Sequence, residues 1–153
     1  MKIRIFIVDD HAVLRSGLRL LINGQPDMEV VGEAGEATSA LEAVQDLLPN
    51  VILMDLAMHG HMHIDTIDKL RKCCPSGYIL VLTMHTESGY VRGSLGAGAS
   101  GYVVKSAADT ELLTAIRTVA QGKLFLDWTV GKGRGRISQV LRRKGWPTRL
   151  RDC

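Results

Sequence analysis

Four short apolar runs each lead into a residue suited to handling a phosphoryl group. Ile3 to Val8 leads into Asp9 and Asp10, and Val51 to Met54 into Asp55. Tyr78 to Leu82 leads into Thr83, and Gly101 to Val104 into Lys105. In an open parallel sheet, ligands bind outside the carboxyl ends of the strands, where the strand order reverses. If these runs are strands of one such sheet, carboxylates, a hydroxyl and an ammonium converge in one crevice. Carboxylates that close repel unless a cation separates them. A hard divalent ion with oxygen ligands, Mg2+ above all, meets that need. Such an ion can also bridge carboxylate and phosphoryl oxygens. An aspartate can itself be the nucleophile and give an aspartyl phosphate. Asp55, at the end of the central run, is the natural candidate. Lys105 can supply a point charge to phosphoryl oxygens, and Thr83 a hydrogen bond. A plainer use is open to Asp10, as the cap of the first helix.

The intervening segments read as helices at residues 11–22, 38–48, 64–73, 87–96 and 109–121. The first carries Val13, Leu14, Leu18, Leu21 and Ile22 at helical spacing, and the second Leu41, Val44 and Leu48. The last carries Leu112, Leu113, Ile116 and Val119, with Gly122 as its stop. Leu112, Ile116 and Val119 suit a core, and a dimer face is the other use. A further strand spans residues 28–32. The helix at 87–96 is weak, because Gly89 and Gly93 each cost it about 1 kcal/mol against Ala. That weakness suits an element that shifts; close packing is the other reading of those glycines. Strands alternating with helices imply a doubly wound parallel sheet, and nearly all-apolar strands imply helices on both faces.

Composition narrows the class. The chain has 153 residues and 46% hydrophobic content, which fits one domain with a core and argues against disorder. Its apolar stretches are strand-sized, so no transmembrane helix is expected, and its start does not resemble a signal peptide. The expected location is the cytoplasm, with no membrane partner. Cys73, Cys74 and Cys153 lack the spacing of a disulfide framework or zinc site. Residues 1–126 carry a net −3 and residues 127–153 a net +6. The division expected is therefore a domain at 1–126 and a basic extension at 127–153 that is not an independent domain. Within the extension, residues 137–144 have room for two turns of helix.

Residues 1–126 resemble the receiver domain of two-component response regulators, in the NarL/FixJ branch whose members carry a LuxR-type helix-turn-helix. The resemblance is carried by Ile7-Val8-Asp9-Asp10-His11, Val30-Val31-Gly32-Glu33-Ala34, Leu53-Met54-Asp55-Leu56, Leu82-Thr83-Met84-His85 and Gly98-Ala99-Ser100-Gly101-Tyr102-Val103-Val104-Lys105. It implies a flavodoxin-like (βα)5 fold with strand order 2-1-3-4-5. It implies that Asp55 accepts a phosphoryl group from a sensor histidine kinase. It also implies that Asp10 and Asp55 bind Mg2+ directly, with Asp9 helping through water and the Ala57 carbonyl completing the set. Thr83 would move toward the phosphoryl group, Tyr102 would swing inward behind it, and Lys105 would pair with phosphate or Asp55. Homodimers through the first and last helices, or through the fourth and fifth, would follow from the same resemblance.

Two departures stand out. The family usually has Pro where His59 stands and Gly where His63 stands. Their loss should loosen or reshape the loop beside Asp55, with a cost to Mg2+ binding or phosphorylation. His59, His61 and His63 could hold a transition metal with His11 or His85, against the plainer reading of a solvated loop. The second departure is that residues 127–153 show no helix-turn-helix. Their Lys and Arg side chains could hold nucleic-acid phosphates nonspecifically, or the segment could be a remnant of a truncated regulator. The competing functions are thus a phosphorylation-controlled switch, a DNA-binding regulator using the tail, and a phosphorylation-independent interaction module. An Asp-dependent phosphatase is disfavoured, because Ala57 stands where its acid/base carboxylate would be.

Overall fold

The computed structural model describes residues 1–126. The basic extension, including the helix expected at 137–144, lies outside the described residues. The elements in order are β1 (Ile3–Val8), α1 (Ala12–Asn23), β2 (Met28–Ala34), α2 (Ala37–Leu47), β3 (Val51–Met54), β4 (Ala57–Met58) and β5 (His61–Met62). They continue with α3 (Ile64–Cys73), β6 (Tyr78–Thr83), α4 (Ser88–Ala97), β7 (Gly101–Val104), a 3-10 turn (Lys105–Ala107), α5 (Ala108–Ala120) and β8 (Phe125–Leu126). The main sheet runs β2-β1-β3-β6-β7-β8, parallel throughout. Its first five members are the expected strands in the expected order. β8 adds a short sixth at one edge, and β4 and β5 form a separate hairpin.

Strand alternation divides the core in two. Phe6, Val8, Ile52, Met54, Ile79, Val81 and Tyr102 face one side, with Val44 of α2, Ile67 and Leu70 of α3, and Val91 and Leu95 of α4. Ile5, Ile7, Val51, Leu53, Leu80, Leu82 and Val103 face the other, with Leu18 and Ile22 of α1 and Leu112, Ile116 and Val119 of α5. Both faces of the sheet are therefore dry, which is why β1, β3 and β6 read as continuous apolar runs. Each such side chain contributes roughly 1.5–3 kcal/mol on burial. Leu112, Ile116 and Val119 are all fully buried, so they serve the core rather than a dimer face.

Three local readings need correction. Val13 and Leu21 do not belong to the buried stripe of α1. Leu14, Leu18 and Ile22 define it at four-residue spacing, and Val13 falls one residue off it, 89% exposed. Leu48 is not on the α2 stripe either. It sits just past the helix at φ 48°, half exposed, as a left-handed cap. Asp10 does not cap α1: His11 occupies the cap position, and its side chain makes no capping bond.

The glycines of α4 separate the two readings of that helix. A Cβ at Gly93 would meet Ile64 Cδ1 at 3.0 Å, so close packing accounts for this one. A Cβ at Gly89 or Gly96 would meet nothing within 4 Å. The weak helix propensity at those two positions therefore has no steric cause. Gly89→Ala is expected to stabilise the protein by about 1 kcal/mol and raise Tm by about 3 °C. An unchanged thermal melt would mean that α4 stability does not limit the folded state.

Candidate functional site

The crevice opens at the carboxyl ends of β1 and β3, where β2 lies to one side of β1 and β6 lies beyond β3. The ladder continues one residue past each strand. The Asp9 amide donates to Ala34 O at 3.0 Å, and the Asp55 amide to Val8 O at 2.9 Å. Both carboxylates are thus mounted on the last rungs of the sheet. Asp9 is 2% and Asp55 4% exposed. Lys105 enters from the end of β7 and sets its Nζ 2.9 Å from Asp55 Oδ2 and 3.5 Å from Asp9 Oδ2. One ammonium is therefore shared by two buried carboxylates.

The remaining oxygens are held by nearby amides. Ala57 N–H donates to Asp55 Oδ1 at 3.1 Å, and His11 N–H to Asp9 Oδ1 at 2.8 Å. The His11 Nδ1 lies 3.1 Å from both Asp9 Oδ1 and Asp10 Oδ1, but hydrogen-bonds only the first. Asp10 Oδ1 is left buried with no hydrogen-bond partner. Asp9, Asp10, His11 and Asp55 each offer a ligand atom within 4.8 Å of the others. A buried carboxylate oxygen without a donor, beside two more carboxylates, is chemistry that a hard cation satisfies. The residues present therefore fit Mg2+.

Burial pushes the Asp55 carboxyl above its ordinary range, while Lys105 and the Ala57 amide pull it back. The Asp10 carboxyl moves the other way, held low chiefly by the His59 amide. A cleft of about 90 Å³ lies over Asp55, lined by His11, Ala57, Thr83, Met84, His85 and Lys105. A water molecule's share of liquid volume is about 30 Å³, so the cleft has room for a group the size of a phosphoryl.

Thr83 ends β6, fully buried, and its Oγ1 accepts the His85 amide at 3.4 Å. Tyr102 lies on β7 with its ring in the core and its hydroxyl donating to His85 O at 2.7 Å. Burial first, then Glu87 and Tyr90, keeps that hydroxyl protonated well beyond the usual tyrosine range. Asp9, Asp10, Asp55, Ala57, Thr83 and Lys105 all meet at this end of the sheet. Tyr102 stands one layer behind, joined through the His85 backbone.

The altered loop after Asp55 is a two-residue hairpin turn. His59 has φ 52° and Gly60 φ 77°, the pair of positive values that matches the twist of a tight hairpin. Proline, fixed near −65°, could not stand at His59. His63 precedes α3 at φ −112°, where glycine is not required, and its ring meets Met58 O at 3.2 Å and Thr66 Oγ1 at 3.3 Å. His59 reaches Gly35 O at 3.0 Å, and His61 faces solvent. The three alternating histidines thus point to separate partners. Among the described residues, the cluster able to hold a metal is the Asp9, Asp10, His11, Asp55 group. Arg15 was not singled out from the sequence. It donates to Asp9 O and to Glu33 Oε1, tying α1 to the ends of β1 and β2. Its place on α1, one turn after His11, carries no distinguishing signal.

A doubly wound sheet with an acidic pocket, a conjugate lysine and a buried threonine defines a phosphoacceptor signalling module. The response regulator receiver domain family matches residues 5–117, and the chain belongs to it. It is 42% identical over 125 residues to the oxygen regulatory protein NreC of Staphylococcus aureus, covering 81% of this chain and 58% of NreC. The chain thus spans a little over half the length of that relative. A two-component response regulator of the LuxR family from Aurantimonas sp. SI85-9A1 superposes with TM-score 0.77 at 31% identity, covering 95% of this chain and 99% of that one. The isolated receiver domain of RcsB from Salmonella enterica serovar Typhimurium, in the presence of phosphomimetic BeF3−, gives TM-score 0.78 at 28% identity, covering 86% of this chain and 98% of that one. Among the described residues, no helix is long and apolar enough to cross a membrane.

Proposed function

We propose that this protein is a switch controlled by phosphorylation of Asp55, with a sensor histidine kinase as donor. The observation that carries the reading is the Asp55 carboxylate, buried at the end of β3 and bonded to Lys105 at 2.9 Å beneath an open cleft. An Asp55 oxygen attacks phosphorus and forms the acyl phosphate. The bond from phosphorus to the donor histidine nitrogen breaks, and its electron pair leaves with the nitrogen. Asp9, Asp10 and Asp55, with the Ala57 carbonyl, would hold Mg2+, which when bound offsets the charge on the transferred group. Lys105 sits where it can pair with the oxygens brought in, and the buried Thr83 hydroxyl can turn to donate to them. The similar receiver of RcsB was solved with a phosphomimetic, which supports the same use here. Residues 1–126 act as the responding unit. Movement of Thr83 and Tyr102 would pass the change to the glycine-weakened α4.

The test is intact mass after incubation with acetyl phosphate. One phosphoryl group is expected in Mg2+, and none when EDTA is added first. Equal gain under both conditions would exclude the metal-assisted reading. No gain under either would leave a phosphorylation-independent interaction module.

A further inference from the structure

The hairpin tip reaches across the mouth of the site and grips one of its carboxylates. His59 N–H donates to Asp10 Oδ2 at 3.0 Å, a bond that spans 49 residues of sequence. The His59 ring sets Nε2 3.0 Å from Gly35 O and Nδ1 3.9 Å from Asp10 Oδ2. A carbonyl oxygen only accepts, so Nε2 carries the hydrogen. The turn is thereby pinned to the β1–α1 loop by its backbone and to the β2–α2 loop by its imidazole. Both contacts depend on the left-handed backbone at His59 and Gly60. A Cβ at Gly60 would meet nothing within 4 Å, so glycine is needed there for its φ alone.

We infer that His59 is a positioning residue for divalent-cation binding, acting through its main-chain amide. Holding Asp10 Oδ2 fixes the carboxylate plane and leaves Oδ1 buried and without a hydrogen-bond partner, in a residue whose ligand atom lies within 4.8 Å of those of Asp9, His11 and Asp55. Asp10 is thus preset to bind through one oxygen. Outer groups that orient a ligand in this way are commonly worth about 10- to 100-fold in metal affinity. The imidazole is secondary, because Nε2 bonds Gly35 O and Nδ1, 3.9 Å from Asp10 Oδ2, lies beyond hydrogen-bond reach of that oxygen. This inference rests on the Mg2+ site proposed above.

The experiment is calorimetric titration of Mg2+ into the metal-free full chain, with no phosphoryl donor. His59→Pro removes the amide hydrogen and forbids the positive φ. Gly60→Val opposes the same turn from the neighbouring residue while keeping the His59 amide. Both are expected to raise the Kd about 10- to 100-fold. His59→Asn keeps the donor, tolerates left-handed backbone, and is expected to stay within threefold of wild type. Thermal melts of each variant separate loss of fold from loss of affinity, and if His59→Pro does not fold, Gly60→Val decides. Wild-type affinity in the variant that decides would overturn the inference. A loss in His59→Asn as large as that in His59→Pro would transfer the role to the imidazole and also overturn it. Absence of Mg2+ binding by wild type, unchanged in Asp10→Asn, would instead bring down the metal site itself.

Discussion

The Asp55→Asn protein is expected to take up no phosphoryl group and, when metal is absent, to melt above wild type near neutral pH. The first follows from loss of the nucleophilic carboxylate, the second from its burial. The Asp55 carboxylate is almost fully enclosed, and desolvation raises its pKa above the ordinary 3.8 despite Lys105 and the Ala57 amide. In the folded state this group holds its proton more tightly than in the unfolded chain. Folding therefore takes up a proton between the two pKa values, and stability falls as pH rises through that window. Above the folded pKa the whole cost is present. Asparagine keeps the shape and one of the two acceptor oxygens, and has no proton to lose. The Tm difference should thus be small at a pH below 3.8, grow as pH rises, and level off. Parallel melting curves at all pH values, or a less stable variant at pH 7, would show that Asp55 is not held at a cost. Retained phosphorylation would place the acceptor elsewhere.

Replacing Lys105 acts in the opposite sense on stability and in the same sense on chemistry. Its Nζ is the ammonium shared by Asp55 and Asp9. Lys105→Met leaves those carboxylates facing each other without it, and breaking a buried ion pair costs about 3–5 kcal/mol. Protonation of Asp55 relieves part of that cost. The variant should therefore melt below wild type at pH 7 and regain ground as pH falls. Its rate of phosphorylation by acetyl phosphate in Mg2+ should drop roughly 100-fold, the usual penalty for losing one preset donor to developing negative charge. A time course of intact mass measures this directly. A rate within twofold of wild type would remove Lys105 from the chemistry.

The strand ends were legible because each strand is a continuous apolar run with an abrupt polar stop. Burial on both faces requires the run, and the crevice requires the stop. The helices were legible to within a residue or so at each end, since four-residue spacing such as Leu14, Leu18 and Ile22 marks the buried stripe. Val13 and Leu48 misled because helical periodicity does not fix where a short helix begins or ends. The β4–β5 hairpin was missed for a plainer reason. Two residues per strand give alternation nothing to repeat. A signal was present in His59-Gly60, since histidine is among the residues that tolerate left-handed backbone and glycine suits it best. That signal read as a disturbed loop because the expectation there was proline. The grip of His59 on Asp10 had no signal at all. It uses a main-chain amide, and every residue but proline has one. Type and order brought Asp10 and Asp55 to one crevice, whereas their opposite shifts in acidity come from the fold, burial raising Asp55 and the His59 amide lowering Asp10.

The short strand β8 has a consequence for how the protein meets other copies of itself. Phe125 and Leu126 pair with Gly101 and Tyr102, and both are buried. Without them the amides and carbonyls of Gly101 and Tyr102 would be open along one side of β7, on an apolar Gly-Tyr-Val-Val segment of the kind that recruits strands from other molecules. β8 is thus a shield against edge-to-edge association. The matched family region stops at residue 117, eight residues short of Phe125. A chain trimmed to that limit would keep every residue of the phosphoryl site and lose the cover that keeps its sheet from growing.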